Sequence, residues 1–290
     1  MTLETIGIIL GFFGAFAQAL NYAVTKDCQE KSGQQGLRLL VSEHLAMFSL
    51  TLFPFLFFRH YAYFCYEVFW YVVAIVVPYL VAQYAINKAI ALSDASIVSP
   101  LMTVKVPILA LVSLFLLDRG FSSFQYLAIV MIISLGWYYS SLSGRIRLWP
   151  LFYITLGCAS FCFSDLAMTR LTHFIPSASR AEQIAAGITY EYIASGLLAI
   201  PGIFYCKVGV RDIWSTKWIA VLWLLSMVGI VGCFNLTGVV EGNIIQTLRS
   251  VIGVIIAYLF YRRYIRDGAT FRKKLFISIG MFLAVALYYC

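Results

Sequence analysis

The chain has 290 residues, of which 62% are hydrophobic and only 12% are charged. A soluble domain carries about 25% charged residues, so this composition excludes an ordinary soluble protein. Apolar runs of about 20 residues recur along the whole length, and each is long enough to cross a bilayer. They leave no room for a soluble catalytic domain. The net charge of +8 resides in short loops, which favours a membrane surface over nucleic acid as the basic protein's partner.

The apolar runs are continuous rather than alternating, which predicts helices and not membrane strands. The first residues, Met1 to Glu4, have no basic n-region, so we expect the first run to remain as a helix. The chain is therefore predicted to be an all-α integral membrane protein with ten transmembrane helices. The predicted spans are about 4–25, 38–58, 68–91, 97–117, 124–142, 149–171, 183–204, 216–239, 243–262 and 273–289.

Two halves of the chain repeat each other. At an offset of about 144, Thr103 falls on Thr247, Lys105 on Arg249 and Arg119 on Arg263. At about 148, Glu43 falls on Glu191. The halves are 1–143 and 144–290, with the boundary near Ser143-Gly144-Arg145. Five spans per half is an odd number, so the second half must enter the membrane from the opposite side. This predicts two inverted five-helix repeats, as in many secondary transporters.

The Lys and Arg residues outside the spans are unevenly distributed between the two sides. The loops after odd-numbered spans carry most of them, whereas the even loops and termini carry only Arg59, Arg119, Arg170 and Arg180. The positive-inside rule places the odd loops in the cytoplasm and both termini outside. We expect a multi-pass protein of the plasma (inner) membrane.

Several charged residues fall inside the predicted spans, where each costs about 3 kcal/mol on insertion scales. Glu43, His44 and Lys105 lie about two turns from the cytoplasmic side, and Glu191 and Arg249 occupy the equivalent depth from the other side. Matched depths predict two acid–base pairs, Glu43–Lys105 and Glu191–Arg249, which would act as alternating gates. Glu43, His44 and Glu191 are thus candidate gating or coupling residues, although a structural bridge is the alternative.

Polar side chains also recur on single helix faces, at spacings of three and four residues. Such stripes predict either a solute-lined cavity or interhelical hydrogen bonds that only hold the helices together. The glycines Gly7, Gly11 and Gly14 are interpreted as close-packing positions. The candidate substrate-binding residues are Gln18, Asn21, Tyr79, Gln83, Asn87, Lys105, Asp165, Asn235, Gln246 and Arg249.

Neither a metal nor another cofactor is predicted. The seven cysteines lack metal-ligand spacing, and Cys158 and Cys162 inside one apolar helix are interpreted as packing residues. No GxxxxGK[ST] sequence is present, which argues against ATP hydrolysis by this chain. A proton carried by a buried carboxyl, Asp165 or Glu191, is one way to couple transport to energy.

The stretch AIALSDASIVSPLMTVKVPILALVSLFLLDRGFSSFQYLAIVMIISLG resembles the second part of an EamA repeat of the drug/metabolite transporter superfamily. The second half departs from it where Val251 replaces Pro107. The resemblance implies a ten-helix bundle of inverted repeats with a central cavity, working by alternating access. It also implies, in many members, cytoplasmic termini, in conflict with the loop charges. Members that carry phosphate esters use cations in the helices that hold Lys105 and Arg249 here.

The leading hypothesis is a permease or exporter for a small polar metabolite, foremost a zwitterion such as an amino acid, and not an enzyme. Its partners would be the solute and the lipid bilayer, with the proton as a candidate coupling ion. The protein would be a monomer or a homodimer. A carrier of anionic phosphorylated or nucleotide-type solutes and a non-transporting membrane scaffold remain as alternatives. A membrane enzyme acting on lipids is disfavoured, because His44, His60 and His173 are scattered and no DxxxD-type cluster is evident.

Overall fold

The computed structural model describes residues 2–93, 95–109, 111, 122–142, 148–177, 179–260 and 268–288. Every regular element in these ranges is helical. The predicted boundary at Ser143-Gly144-Arg145 and the predicted match of Arg119 with Arg263 lie outside the described residues. The helices are α1 (Leu3–Ser32), α2 (Gly36–Phe57), α3 (Tyr66–Leu92), α4 (Ala95–Leu101), α5 (Ser123–Ser141), α6 (Leu148–Phe174), α7 (Arg180–Cys206), α8 (Val210–Ser215), α9 (Lys217–Thr237), α10 (Val239–Phe260) and α11 (Gly268–Tyr288).

Seven of the described helices are long and apolar enough to cross a membrane: α1, α2, α3, α6, α7, α9 and most of α10. Shorter apolar helices run over Ile97–Leu109 and Ser123–Tyr139. A multi-pass membrane protein is therefore the class that the structure indicates. Large apolar side chains cover the outside of the bundle, as lipid-facing surfaces require: Phe53, Phe57, Val130, Leu198 and Phe276 are each 60% exposed or more.

The ends of the helices follow local sequence signals. Thr2 caps α1 by accepting a hydrogen bond from the Thr5 amide at 3.2 Å, and Gly33 ends the helix in the left-handed conformation that glycine tolerates best. Gly238, with φ 105°, alone separates α9 from α10, and Gly242 then lies against Phe234. The short connection implied by the predicted spans 216–239 and 243–262 is therefore present, but at Gly238 rather than at 240–242.

Long helix pairs form the body of the bundle. The most extensive contacts join α1 to α9, α3 to α6 and α2 to α7, and α5 packs on α11 at one side. The seam between α1 and α9 is especially close, since a methyl group on Gly229 would lie 2.6 Å from Cα of Gly14. Methyl groups on Gly7, Gly11 or Gly14 would also meet α9 within 2.8 Å, so the close-packing interpretation is confirmed.

Candidate functional site

A narrow cavity lies in the middle of the bundle. Its free volume is about 20 Å³, which is enough for about one water molecule. The structure is therefore closed around the cavity. Seven segments from both halves of the chain contribute to its wall. The lining residues are Gln18, Tyr79, Met102, Lys105, Phe161, Ser164, Asp165, Glu191, Trp223, Met227, Ile230, Gln246 and Arg249.

Lys105 forms a buried ion pair in this cavity. Its ammonium contacts the Asp165 carboxylate of α6 and donates a second hydrogen bond to Gln246 Oε1 at 3.2 Å. The Lys105 side chain is only 5% exposed and that of Asp165 is 17% exposed. The charge of Lys105 is thereby matched within the protein, and little of it is left for a ligand.

A local break in the helix positions Lys105. The turn Met102–Val104 is 3₁₀ and the α-helix resumes at Lys105. Pro107 follows two residues later, and it lacks the amide hydrogen that would bond to the Thr103 carbonyl. A 3₁₀ turn is the common way to absorb such a defect. In the second half, where Val251 replaces Pro107, α10 continues without a break from Val239 to Phe260.

Arg249 lies in the same cavity but has a different set of partners. Its Nη1 donates to Gln18 Oε1 at 2.6 Å, and its Nη2 donates to the Met102 carbonyl at 3.4 Å. Arg249 is 2% exposed, and its Nε has no hydrogen-bond partner in the described ranges. Within the described part of the chain it has no carboxylate partner. A buried guanidinium held only by neutral oxygens keeps an unmatched positive charge.

Glu191 is a buried acid in the same cavity wall as Arg249. This residue of α7 is 1% exposed and lines the cavity, yet neither carboxyl oxygen has a hydrogen-bond partner among the described residues. Buried carboxyl oxygens are nearly always satisfied, so two unsatisfied ones in a cavity wall indicate a group that meets something other than the protein. The cavity therefore holds one unmatched cation and one unpartnered acid.

Aromatic rings form an apolar wall beside these charges. Phe161 and Trp223 are stacked with centroids 6.1 Å apart, and Tyr79 lies 6.3 Å from each of them. Trp223 is fixed by a 2.8 Å hydrogen bond from its Nε1 to Tyr192 Oη. Such faces contact apolar groups and attract cations.

Other predicted site residues are hydrogen-bonded between helices, away from the cavity lining. Asn21 Nδ2 donates to the Ile219 carbonyl at 2.8 Å, and Asn235 accepts from Thr172 at 3.2 Å. Asn87 Nδ2 donates to Glu43 Oε1 at 2.8 Å. These three asparagines join helices rather than line the cavity. Gln83 is 3% exposed and is not among the lining residues named above.

The structure forms neither of the predicted acid–base pairs. Lys105 pairs with Asp165 rather than with Glu43, and Glu191 has no ionic contact with Arg249 among the described residues. His44 beside Glu43 donates from Nδ1 to the Leu40 carbonyl at 2.7 Å. The prediction relied on depth along each helix, but rotation about the helix axis decides which side chains meet, and Glu43 faces α3.

Sequence reasoning missed several lining residues. Ser164 precedes Asp165 on the same helix, and Phe161 lies one turn before it. Trp223 could have been identified from the sequence. It is the seventh residue of α9, away from the membrane interface where tryptophan is usually found. Among the described residues, no group of three or more His, Cys, Asp or Glu could hold a metal ion.

Neither a protein-family model nor a curated protein matches this chain. Solved structures do match. One, described only as "Crystal structure of protein", aligns over 98% of this chain and 98% of its own, with a TM-score of 0.60 and 11% identity. At that identity the likeness shows the fold alone, and it extends over nearly the whole chain.

Proposed function

We propose that this protein is a secondary transporter of a small zwitterion such as an amino acid. One observation carries the proposal: among the described residues the Arg249 guanidinium has no carboxylate partner and the Glu191 carboxyl has no hydrogen-bond partner, and both line one closed cavity. A zwitterion presents a carboxylate to the first and an ammonium group to the second. Each charge of the solute would then compensate a buried charge of the protein.

The rest of the cavity wall suits the remainder of such a solute. Tyr79, Phe161 and Trp223 offer apolar contact for a side chain and aromatic faces for an ammonium group. Gln18 and Ser164 add neutral hydrogen-bonding groups. These features support a solute with two opposite charges and an apolar part.

An anionic phosphorylated solute fits less well. Of the two cations in the cavity, Lys105 is already matched by Asp165. A phosphate dianion would meet the Arg249 guanidinium but also the carboxyl groups of Glu191 and Asp165 in the same small space. Like charges at such short range oppose binding.

The proposal includes ten membrane-spanning helices in two inverted repeats, as in the drug/metabolite transporter superfamily, in the plasma membrane with cytoplasmic odd loops. Helix packing supports the repeats. If span n corresponds to span n+5, the α1–α9 pair corresponds to the α6–α3 pair, and both pairs are among the most extensive contacts. The pairs α2–α7 and α5–α11 each correspond to themselves. The cavity draws side chains from both halves, as expected of a site between repeats.

Alternating access would start from the closed state described here. Solute entry requires the cavity to widen, and the Lys105–Asp165 pair and the Gln18 contact with Arg249 are among the polar contacts that hold it closed. The acids Glu191 and Asp165 are the candidate proton carriers, since both line the cavity.

A ligand screen tests the proposal. The purified protein in detergent is heated with amino acids, quaternary amines, sugar phosphates or nucleotides, because a ligand bound only by the folded state raises apparent stability. We expect stabilisation by one or more amino acids, lost in Arg249→Gln and in Glu191→Gln. Glu43→Gln is the matched control, since Glu43 is equally buried but does not line the cavity.

The same variants are then compared for uptake of the stabilising solute into proteoliposomes, with and without a pH gradient. Stabilisation by phosphate-bearing compounds alone would contradict the zwitterion proposal and identify the protein as an organophosphate carrier. No stabilisation by any compound, together with no uptake, would contradict the transporter assignment and favour a scaffold. Uptake that is indifferent to the pH gradient would exclude proton coupling only.

A further inference from the structure

The short helix α8 joins the ends of α7 and α9. Both of these helices are long and apolar enough to cross a membrane, so the six residues of α8 lie where the chain turns at a membrane surface. Contacts from the start of the chain fix α8 in place. Gln34 Nε2 donates to Asp212 Oδ1 at 3.0 Å and to Ser215 Oγ at 2.9 Å, and Arg38 Nη2 donates to Asp212 Oδ2 at 2.8 Å. One side of α8 is therefore held against the bundle.

The other side of α8 is exposed. Val210 and Trp214 are 83% and 68% exposed, and Arg211 is exposed as well. Spacings of three and four residues place these side chains on one helical face. Asp212 instead faces Gln34 and Arg38, and Thr216 directly after the helix is fully buried. The outward face thus combines apolar, aromatic and basic side chains, as helices at a membrane interface do.

Positive charge on this exposed face is not compensated. Lys207 and Arg211 are exposed, and Lys217 is half-buried. In the part of the chain that the structure describes, none of the three forms an ion pair with a carboxylate. Asp212, the acid next to Arg211 in the chain, is paired with Arg38. Three cations within eleven residues therefore attract an anion from outside the protein.

Large aromatic side chains lie next to these cations in the chain. Phe204 and Tyr205 near the end of α7 are both 82% exposed, and Trp218 near the start of α9 is 61% exposed. Lys217 Nζ lies 4.0 Å from the centroid of the Trp214 ring, which is a cation–π contact. Tryptophan and tyrosine at the ends of membrane-spanning helices lie at the level of the lipid headgroups. The three cations are therefore at the depth of the lipid phosphates.

We propose that Lys207, Arg211, Trp214 and Lys217, which we call the α8 surface, bind the headgroup of an anionic phospholipid such as phosphatidylglycerol. The cations attract its phosphate, and the exposed Trp214 ring contacts the glycerol and the upper acyl chains. A zwitterionic phospholipid gains less, because its own ammonium group already offsets its phosphate. A soluble phosphate would gain nothing from the exposed apolar groups. This inference does not depend on the transport proposal, because no residue of the α8 surface lines the central cavity.

The test measures which lipid is enriched beside Trp214. The purified protein is reconstituted into bilayers of phosphatidylglycerol and phosphatidylcholine in a fixed ratio, with bromine in the acyl chains of one lipid or of the other. Bromine quenches nearby tryptophan, and subtraction of the Trp214→Phe signal isolates Trp214. We expect the association constant of phosphatidylglycerol to be about fivefold or more above that of phosphatidylcholine, because one basic residue near an anionic membrane contributes about that factor.

Two variants locate the effect. Lys207→Gln/Arg211→Gln/Lys217→Gln should lower the ratio of the two association constants to about one. Arg180→Gln is the matched control, since Arg180 is an exposed arginine at the opposite end of α7, about 39 Å along the helix, and the ratio should not change. A ratio near one in the unaltered protein would overturn the proposal, as would a ratio that survives in the triple variant or that is lost in Arg180→Gln.

Two salts test the unaltered protein, so the result does not depend on the folding of the triple variant. Sodium chloride should lower the ratio as its concentration rises, because it screens exposed charges. Sodium phosphate of matched ionic strength should lower it no further. A ratio that is indifferent to sodium chloride would contradict binding through the exposed cations. Additional loss in sodium phosphate would assign the α8 surface to a soluble phosphate and overturn the lipid assignment.

Discussion

Glu43 and Glu191 fall on each other at a sequence offset of 148 and lie in helices α2 and α7, which pack on each other, yet their surroundings differ. Glu43 Oε1 accepts a hydrogen bond from Asn87 and lies 3.8 Å from His44 Nδ1, whereas Oε2 has no hydrogen-bond partner among the described residues. Within the same part of the chain Glu191 has no hydrogen-bond partner for either oxygen, and it lines the central cavity with Arg249. Equal burial therefore does not imply equal surroundings: one acid joins two helices, and the other lines the central cavity.

The largest expected effect comes from the ion pair on the cavity side. Lys105→Met leaves the Asp165 carboxylate without its partner in the cavity that also holds Glu191, and it should lower the free energy of unfolding by about 3 kcal/mol. The double variant Lys105→Met/Asp165→Leu should recover most of that loss. Unfolding is measured by titration with SDS in mixed micelles. A double variant no more stable than the single one would mean that the two residues do not act as a pair.

The second-largest effect is expected when Glu191 and Glu43 are each replaced and ligand binding is compared. Glu191→Gln should weaken binding of the proposed zwitterionic solute about 30-fold or more, since a desolvated charge partner is worth about 2 kcal/mol at least. Glu43→Gln should change binding by less than about threefold. Isothermal titration calorimetry with both variants gives the two values. Similar losses of binding affinity in both variants would contradict the difference between Glu43 and Glu191.

A smaller effect is expected on the Glu43 side. Asn87→Leu removes the only donor to Glu43 among the described residues, and it should cost about 1–2 kcal/mol of unfolding free energy. In a Glu43→Leu background the same change should cost clearly less, because no carboxylate is left unpaired. The double-mutant cycle measures this coupling. A coupling energy near zero would show that the Glu43–Asn87 bond does not stabilise the fold.

The smallest effect is expected for Asp212, an acid outside the membrane-spanning segments that serves as the fully partnered reference. Hydrogen bonds from Arg38 at 2.8 Å and from the Gly209 amide at 2.9 Å lower the pKa of Asp212 below its ordinary value of 3.8. Its stabilisation is therefore complete above that ordinary pKa and is lost as the pH falls through the lowered one. The amount should be below about 1 kcal/mol.

Thermal unfolding of the unaltered protein and of Asp212→Asn between pH 6 and pH 3 tests this expectation. The variant should already be slightly less stable at pH 6, and its stability should fall less on acidification. An identical acid dependence in both proteins would show that Asp212 is not partnered in solution as it is in the structure.

Helix positions and close-packing glycines could be predicted because they depend on one helix at a time. Apolar run lengths located α2 and α7 to within a few residues, and the spacing of Gly7, Gly11 and Gly14 marked the face of α1 that meets α9. The repeat also directed attention to Lys105 and Arg249, which do line the cavity.

The choice of partners could not be predicted in the same way. Residues at equal depth meet only if both helices are rotated toward each other, and a single sequence carries no direct record of that rotation. Glu43 thus turned out to face Asn87 rather than Lys105, and the acid that meets Lys105 is Asp165. The wall residue Phe161 looked like ordinary apolar helix surface, since nothing local separates a cavity face from a packed face.

The contact between Gly14 and Gly229 has a mechanical consequence. Two backbones that touch without intervening side chains cannot slide along each other, because the next residue on either helix would collide within one step of the chain. Close contacts at Gly7, Gly11 and Gly14 along the α1–α9 seam therefore favour movement of the two helices as one unit. A rearrangement that widens the central cavity is then expected to separate less tightly packed helices.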